Sequence, residues 1–361
     1  MSLTLDSLAT EVLIKIFSNV RIIDLCRLKQ TCRRFNNIIN SWDYALLRNV
    51  TPLVTNQRSD IFLSRCSRKL SALEQIRVSR NWHIGRYKEK SLLYIKRKFI
   101  PWLCLTDESV WISRGRNISN YKRNKDGINI NANIVLHGKS KADVGNFQLK
   151  NNLLLSGQRD GSLWLASVKE KKIIFDLDSC HRSDINSVDI SESGNIVVSG
   201  SRDDGVKIWK VNNNLDCDPI DALTELQHIN LNDRVWRVSL LKEKTFVGGS
   251  TSNPILQLPS KNFGLGVLDL KWDGPNFLWS CGYDTYLKRW DLRTGKCVQA
   301  FEDPHASAHY CLDYDYCNTI MTGTQLHGRV ILWDIRQGHS LQLYFMSACK
   351  RGRYRKELPG L

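Results

Sequence analysis

Histidine, serine, aspartate and tryptophan recur together in the second half of this sequence, and together they could do chemistry. The fullest set is His181, Ser199, Asp203 and Trp209. A histidine beside a carboxylate can act as a general acid or base where the pair opens into a cleft. The same residues can instead form a buried network, in which the carboxylate is tolerated because its oxygens are hydrogen-bonded. The spacing of the other copies decides between these two interpretations.

The copies return at a regular interval. Asp160, Asp203 and Asp284 lie 43 and 81 residues apart, so one further repeat of about 40 to 43 residues falls between the last two. An active site occurs once in a chain, whereas this set recurs. We therefore interpret it as structural and predict neither catalytic residues nor enzyme activity. The other members of the predicted networks are Ser280, Asp284, Trp290, His305 and Trp333.

A repeat of this length that ends in Trp-Asp is typical of the blades of a β-propeller, with four strands in each. Motifs such as "VVSGSRD" and "RWDLRTGKCV" resemble WD-repeat proteins, which usually close with seven blades. We predict an all-β WD-repeat propeller over residues 101–345, with six recognisable blades and a fourth blade that lacks an edge strand. Either the propeller closes with six blades or a seventh is missing, and we favour the second. The blade segments are 100–126, 135–175, 180–212, 226–258, 264–300 and 305–345.

The first 48 residues predict a small all-α head. The stretch "LATEVLIKIFSNV" (8–20) has apolar residues at helical spacing, and "LCRLKQTCRRFNNII" (25–39) predicts a further helix. A unit of this size is near the lower limit for folding alone, so part of its apolar surface needs a cover. Either the rest of the chain or a partner protein could supply it.

This head resembles an F-box, because its first helix fits the pattern L-x-x-E-x-L-x-x-I-F, although Ala9 stands where that family usually has proline. The resemblance implies that the head binds a Skp-family adaptor, with Val12 and Val20 packing inside the head. The residues predicted to face the adaptor are Leu8, Glu11, Leu13, Ile16, Phe17, Leu25, Leu28 and Cys32.

An F-box followed by WD repeats resembles the substrate-recognition subunits of Skp–cullin–F-box ubiquitin ligases. The resemblance implies a non-catalytic chain whose propeller holds a protein substrate, either phosphorylated or unmodified, near a cullin-RING core for ubiquitination and degradation. Residues 49–100 are then a helical, basic linker, and residues 346–361 are a basic tail that we predict to be disordered.

In relatives that bind phosphorylated peptides, the residue before each hairpin aspartate and the residue that starts each inner strand point into the channel. The resemblance places Arg159, Asn186, Arg202, Trp236, Tyr283 and Tyr310 at these positions. Only two of the six are arginine, the residue that clamps phosphate best. We predict a mixed aromatic and basic surface; ordinary hairpin residues with no ligand are the alternative.

The net charge of +16 favours an acidic partner, and residues 77–98 are strongly basic with interleaved aromatic residues. A scaffold that binds nucleic acid, or assembles complexes without ligase activity, is therefore the alternative function. The 11 cysteines show no metal-binding spacing, and no apolar run is long enough for a membrane span. We expect no cofactor, no metal and no membrane association, and a cytoplasmic or nuclear location.

Overall fold

A helical N-terminal part precedes a series of antiparallel sheets. The computed structural model describes residues 4–41, 53–88, 99, 101–124, 127–212, 222–241, 245–250, 266–324 and 328–345. After a 3-10 turn at Leu5–Ser7, the helices are α1 (Thr10–Ser18), α2 (Ile22–Leu28), α3 (Arg33–Ser41), α4 (Asp60–Leu63) and α5 (Ala72–His83). The predicted tail, residues 346–361, lies outside the described residues.

The head has a core of its own, made where α1, α2 and α3 meet. Leu13 and Phe17 of α1 are fully buried, and the ring of Phe17 meets the ring of Phe35 edge-on at 5.3 Å. Leu73 of α5 joins the same apolar cluster. The head is therefore completed by a residue of the predicted linker, which explains how so short a unit buries enough apolar surface.

Antiparallel sheets make up the rest of the chain. The first has five strands: β1 (Leu103–Leu105), β2 (Ser109–Arg114), β3 (Asn117–Asn124), β4 (Gly127–Ile128) and β5 (Ile134–Leu136). The second and third sheets have four strands each: β6 (Val144–Lys150), β7 (Leu153–Gln158), β8 (Leu163–Ser167), β9 (Lys172–Leu177), then β10 (Ile185–Ile190), β11 (Ile196–Ser201), β12 (Gly205–Val211) and β13 (Leu223–Asn230).

The fourth sheet is described over two strands only, β14 (Val235–Leu241) and β15 (Thr245–Ser250). The fifth and sixth sheets again have four strands: β16 (Val267–Trp272), β17 (Phe277–Gly282), β18 (Tyr286–Asp291), β19 (Lys296–Glu302), then β20 (His309–Tyr314), β21 (Thr319–Thr324), β22 (Arg329–Asp334) and β23 (Ser340–Phe345). A helical head followed by a β-propeller is confirmed. Five blades have at least four strands, so the predicted count of six is not confirmed.

Two predicted blade boundaries are wrong. Residues 226–230 were predicted to open the fourth blade, but β13 pairs with β12, Lys207 facing His228, and closes the third sheet. Likewise β5, predicted in the second blade, pairs with β3 of the first sheet. Both strands lack a Trp-Asp signature, so only their pairing shows to which sheet each belongs. The predicted loss of an edge strand from the fourth blade concerns residues 251–265, outside the described residues.

Neighbouring sheets are joined at their inner strands by side chains that accept hydrogen bonds from the next sheet's backbone. Ser187 Oγ accepts from Val238 N–H at 3.1 Å, and Asp189 accepts from Leu240 N–H at 2.7 Å. Asp269 makes the same bond to Leu312 N–H, at 2.9 Å, between the fifth and sixth sheets. These bonds satisfy buried backbone donors and fix how one sheet sits on the next.

Candidate functional site

The histidine, serine, aspartate and tryptophan of the third sheet bond in series. His181 Nδ1 lies 3.1 Å from Asp203 Oδ2, and His181 Nε2 lies 2.8 Å from Ser199 Oγ. Trp209 Nε1 donates to the same Ser199 hydroxyl at 2.9 Å. The His181 and Ser199 side chains are buried. This arrangement can hold a loop to a hairpin and a strand.

The carboxylate of this network is held ionised. Burial acts to raise the pKa of Asp203, but hydrogen bonds from His181 and from the backbone N–H groups of Arg182 and Gly205 outweigh it, so the pKa is lowered. A group whose pKa is lowered on folding stabilises the native state above its unfolded pKa. That contribution is lost as the pH falls through the lowered value.

Asp203→Asn should therefore lower the free energy of unfolding by about 1–3 kcal/mol at neutral pH, because buried donors lose a charged acceptor. The difference between wild type and variant should shrink as the pH falls below about 4, because the carboxylate then protonates in the unfolded wild-type chain while it is still ionised in the native state. Urea unfolding at several pH values measures both effects. Asp284→Asn, in the matching hairpin of the fifth sheet, is the control and should cost less; an equal loss in both variants would contradict the role of the network.

The other predicted networks are incomplete. Trp290 Nε1 donates to Ser280 Oγ at 2.8 Å, and Trp333 Nε1 donates to Thr322 Oγ1 at 2.8 Å. Asp284 pairs with Lys288 at 2.7 Å rather than with a histidine. His305 was predicted in the last network but is exposed, because its loop turns around the buried Asp303, which accepts a hydrogen bond from His305 N–H.

At the predicted channel mouth, Arg159 is already engaged by the chain itself. Its Nη1 donates to Asp184 Oδ2 at 3.0 Å, and its guanidinium carbon lies 3.8 Å from the centre of the Phe99 ring. A guanidinium that is paired and stacked in this way has little capacity left for a phosphate. Arg202, on the neighbouring hairpin, is exposed, and its backbone N–H bonds to Asp184.

The other predicted channel residues are mostly aromatic. Tyr283 and Tyr310 meet edge-on at 5.8 Å, and the hydrogen bond to Tyr283 raises the pKa of Tyr310 to about 12. Trp236 is partly exposed, but its Nε1 is buried without a hydrogen-bond partner. Asn186 spans two sheets by donating to Val235 O at 2.8 Å. The surface therefore presents aromatic rings and neutral polar groups beside a single exposed hairpin arginine, Arg202.

Two arginines of this surface were missed in the sequence. Arg182 and Arg234 are both exposed, in the loops that lead into β10 and β14. The N–H of Arg182 bonds to Asp203, which follows Arg202 in the chain, and Val235, which follows Arg234, accepts a hydrogen bond from Asn186. Their position one to three residues before an inner strand was the available signal, and it lies outside the hairpin and inner-strand positions that the resemblance assigned.

The head exposes only part of the set of residues predicted to face the adaptor. Leu13, Phe17 and Leu25 are at most 1% exposed and face the head's own core, so they offer no surface to an adaptor. Val12, predicted inside, is 47% exposed, and Ile16 is 37% exposed one turn further along α1. Among the other predicted adaptor residues, Glu11 is exposed and Leu8, Leu28 and Cys32 are half-buried.

The start of α1 is secured without the proline typical of the family. Ala9 precedes the helix and has no side-chain cap. Arg34 of α3 instead donates to the carbonyl oxygens of Asp6 and Leu8, the latter at 2.7 Å. The departure at Ala9 therefore leaves the helix start in place.

Comparisons with known proteins agree with both parts of this architecture. Residues 5–45 match the F-box-like family and residues 172–210 match the WD domain, G-beta repeat. F-box/WD repeat-containing protein 4 of Homo sapiens, also called dactylin, is 32% identical over 361 residues, which cover 93% of this chain and 84% of that protein. The chain belongs to the F-box/WD-repeat family.

The mouse relative gives the same result, with 31% identity over 94% of the chain and 85% of F-box/WD repeat-containing protein 4 of Mus musculus. Pre-mRNA-processing factor 17 of Homo sapiens is 37% identical over 75 residues, only 20% of the chain. The solved structure of the computationally designed Ika8 protein has a TM-score of 0.51 and 21% identity, covering 66% of this chain and 72% of that one. That likeness supports the fold alone.

The F-box segment of this family member spans α1 to α3. The matched WD repeat runs from β9 through β12, and this segment contains the complete histidine network.

Within the described ranges, no group of three or more His, Cys, Asp or Glu side chains could hold a metal ion. None of the helices described combines the length and apolarity needed to cross a lipid bilayer.

Proposed function

We propose that this F-box/WD-repeat protein is the substrate-recognition subunit of a Skp–cullin–F-box ubiquitin ligase. The observation that carries the proposal is the apolar face of α1, where Val12 and Ile16 are exposed on a helix whose opposite face fills the head's core. Exposed apolar residues on a small folded unit favour a protein partner, and the family match supports a Skp-family adaptor as that partner.

The chain contributes position rather than chemistry in this proposal. Catalysis would reside in the cullin-RING core and its ubiquitin-conjugating enzyme, while the propeller raises the local concentration of substrate lysines near them. The buried histidine network of the third sheet supports a non-catalytic role, because its groups bond to one another within one blade, and its tryptophan–hydroxyl bond recurs in the fifth and sixth sheets.

The substrate would bind at the channel mouth around Arg202, Trp236, Tyr283 and Tyr310. This surface suits a segment with aromatic and acidic groups, because exposed arginines, among them Arg202, accompany the aromatic rings, whereas Arg159 is already paired with Asp184. Nine cysteines of the described chain are free, which suits the reducing cytoplasm or nucleus, where we place the protein.

The test is reconstitution from purified components. The full chain, mixed with a Skp-family adaptor and a cullin-RING core, should elute with both from a size-exclusion column and should be retained in a pull-down on the cullin. Binding to the adaptor without the cullin would support a ligase-independent scaffold instead. Failure to bind the adaptor at all would contradict the proposal.

The strongly basic charge favours nucleic acid as an alternative partner. Binding to phosphates weakens steeply as salt rises. Fluorescence-anisotropy titration of the full chain with single-stranded RNA, at about 50 and 200 mM salt, tests this function: submicromolar binding at the lower salt that weakens steeply at the higher salt would favour it, and no binding at the lower salt would contradict it.

A further inference from the structure

The last sheet of the propeller (β20–β23) meets the first (β1–β5) at a junction that we call the seam. In the described chain the first sheet contains only β1 to β5 and the last only β20 to β23, so no strand from one end completes the sheet at the other. The interior sheets are joined by inner-strand bonds such as that of Asp189 to Leu240. The corresponding aspartate of the last sheet, Asp313, has no following sheet to bind.

A linker residue takes that place. Arg65, just after α4, donates from Nη1 to both carboxylate oxygens of Asp313, at 2.9 and 2.8 Å, and from Nη2 to Tyr314 O at 3.0 Å. Its guanidinium also lies near the rings of Phe62 and Tyr316, at 5.4 and 5.7 Å. Hydrogen bonds to a carboxylate and a carbonyl together make this a well-determined position for a long side chain.

The same residue is also tied to the first sheet. Arg123, in β3, donates from Nη1 to Arg65 O at 2.7 Å and to Thr106 O, in the β1–β2 turn, at 2.6 Å. Arg65 therefore contacts the last sheet with its side chain and the first sheet with its backbone. It bridges the seam from one side to the other.

Further contacts hold the linker along the last sheet. Val54 N–H donates to Thr319 Oγ1 at 3.1 Å, and the Asn56 amide lies 2.7 Å from Cys317 Sγ. At the other end of the linker, the Trp82 ring meets Tyr344 of β23 edge-on at 5.3 Å. The linker thus contacts the last sheet at both the β20–β21 turn and the outermost strand, β23.

Helix α5 connects this arrangement to the head. It begins with a capping box between Ser71 and Glu74, and Arg68 together with the Ser71 backbone lowers the pKa of Glu74 to about 2. Near its start, Leu73 enters the head's core, and near its end, Trp82 packs on β23. One short helix therefore touches both the head and the propeller.

We propose that residues 53–84 of the linker are the closing element of the propeller. In this proposal, Arg65 joins the last sheet to the first, and α5 fixes the head on the closed ring. The linker is then part of the propeller's structure rather than a flexible arm. This inference does not depend on which adaptor or substrate the protein binds.

Hydrogen exchange of the full chain tests the proposal. Arg65→Ala should raise amide exchange at least tenfold in β1–β5 and β20–β23, the strands beside the seam, and leave β10–β13 unchanged. Arg293→Ala is the matched control, because Arg293 forms an ion pair of the same length, 2.8 Å, with Asp291 inside a single hairpin. It should change exchange only within the fifth sheet.

Two outcomes would overturn the inference. Exchange beside the seam in Arg65→Ala could match that in Arg293→Ala, or it could rise equally in all sheets. Should Arg65→Ala fail to fold, Arg65→Lys and Asp313→Asn provide milder variants, which should show the same seam-specific increase at smaller size. In a double-variant cycle, the effects of Arg65→Ala and Asp313→Ala on exchange beside the seam should be less than additive, because each removes the contact between these two side chains.

Discussion

Replacing Val12 and Ile16 together by aspartate should weaken the proposed binding of a Skp-family adaptor at least about 100-fold and should leave the thermal unfolding of the chain unchanged. Both side chains are exposed on α1, at 47% and 37%, so the head folds without them. Burying an apolar side chain of this size in an interface contributes about 1.5–3 kcal/mol, and two of them correspond to about 100-fold or more in affinity. Calorimetry with purified adaptor measures the loss.

Two further variants separate binding from folding. Leu13→Asp places a charge in the head's core and should unfold the head, which circular dichroism detects as lost helix. Ile61→Asp changes an exposed apolar residue of α4, 57% exposed and outside the head's core, and should bind the adaptor like wild type. Normal adaptor binding by the Val12 and Ile16 double variant would show that the adaptor uses another face.

Trp279→Ala lowers the free energy of unfolding by about 3–5 kcal/mol, the usual cost of removing a large buried aromatic side chain. Trp279 is fully buried in β17, with Phe301 stacked at 6.1 Å and Tyr314 of the next sheet at 6.3 Å. It therefore fills the interface between the fifth and sixth sheets. Urea unfolding, followed by tryptophan fluorescence, gives the change in free energy.

The control is Leu226→Ala in the outer strand β13, where the side chain is 54% exposed. It should change the unfolding free energy by less than about 0.5 kcal/mol. A loss below about 1 kcal/mol for Trp279→Ala would mean that neighbouring sheets tolerate a cavity there, contrary to a well-packed interface.

The recurring network could be found from spacing because every blade repeats one supersecondary unit. His181, Ser199, Asp203 and Trp209 stand at fixed intervals, since a loop, a strand, a hairpin and a further strand must meet at one place in each blade. The sequence pattern identifies such local units. It does not show where one unit's last strand ends, which is why β5 and β13 were assigned to the wrong blades.

In the head, helical periodicity predicts helix α1 but does not show which of its faces is buried. Leu13 and Phe17 form one i, i+4 pair and Val12 and Ile16 form another, and the two pairs are displaced by one residue, about 100° around the helix. Both pairs fit an apolar face, so the pattern predicts that the helix is buried on one side without saying which side. The contacts of Phe17 with Phe35 decide it, and they put Leu13 in the core and Val12 outside.

An F-box head followed by a WD-repeat propeller is recognisable in the sequence, because both have local patterns of residue type and spacing. The exposed face of α1, the pairing of Arg159 with Asp184 and the contacts of Arg65 with the first and last sheets are visible only in the folded chain. The physical reason is that these properties depend on contacts between residues far apart in the chain. Arg65 and Asp313 are 248 residues apart, and no spacing rule connects them.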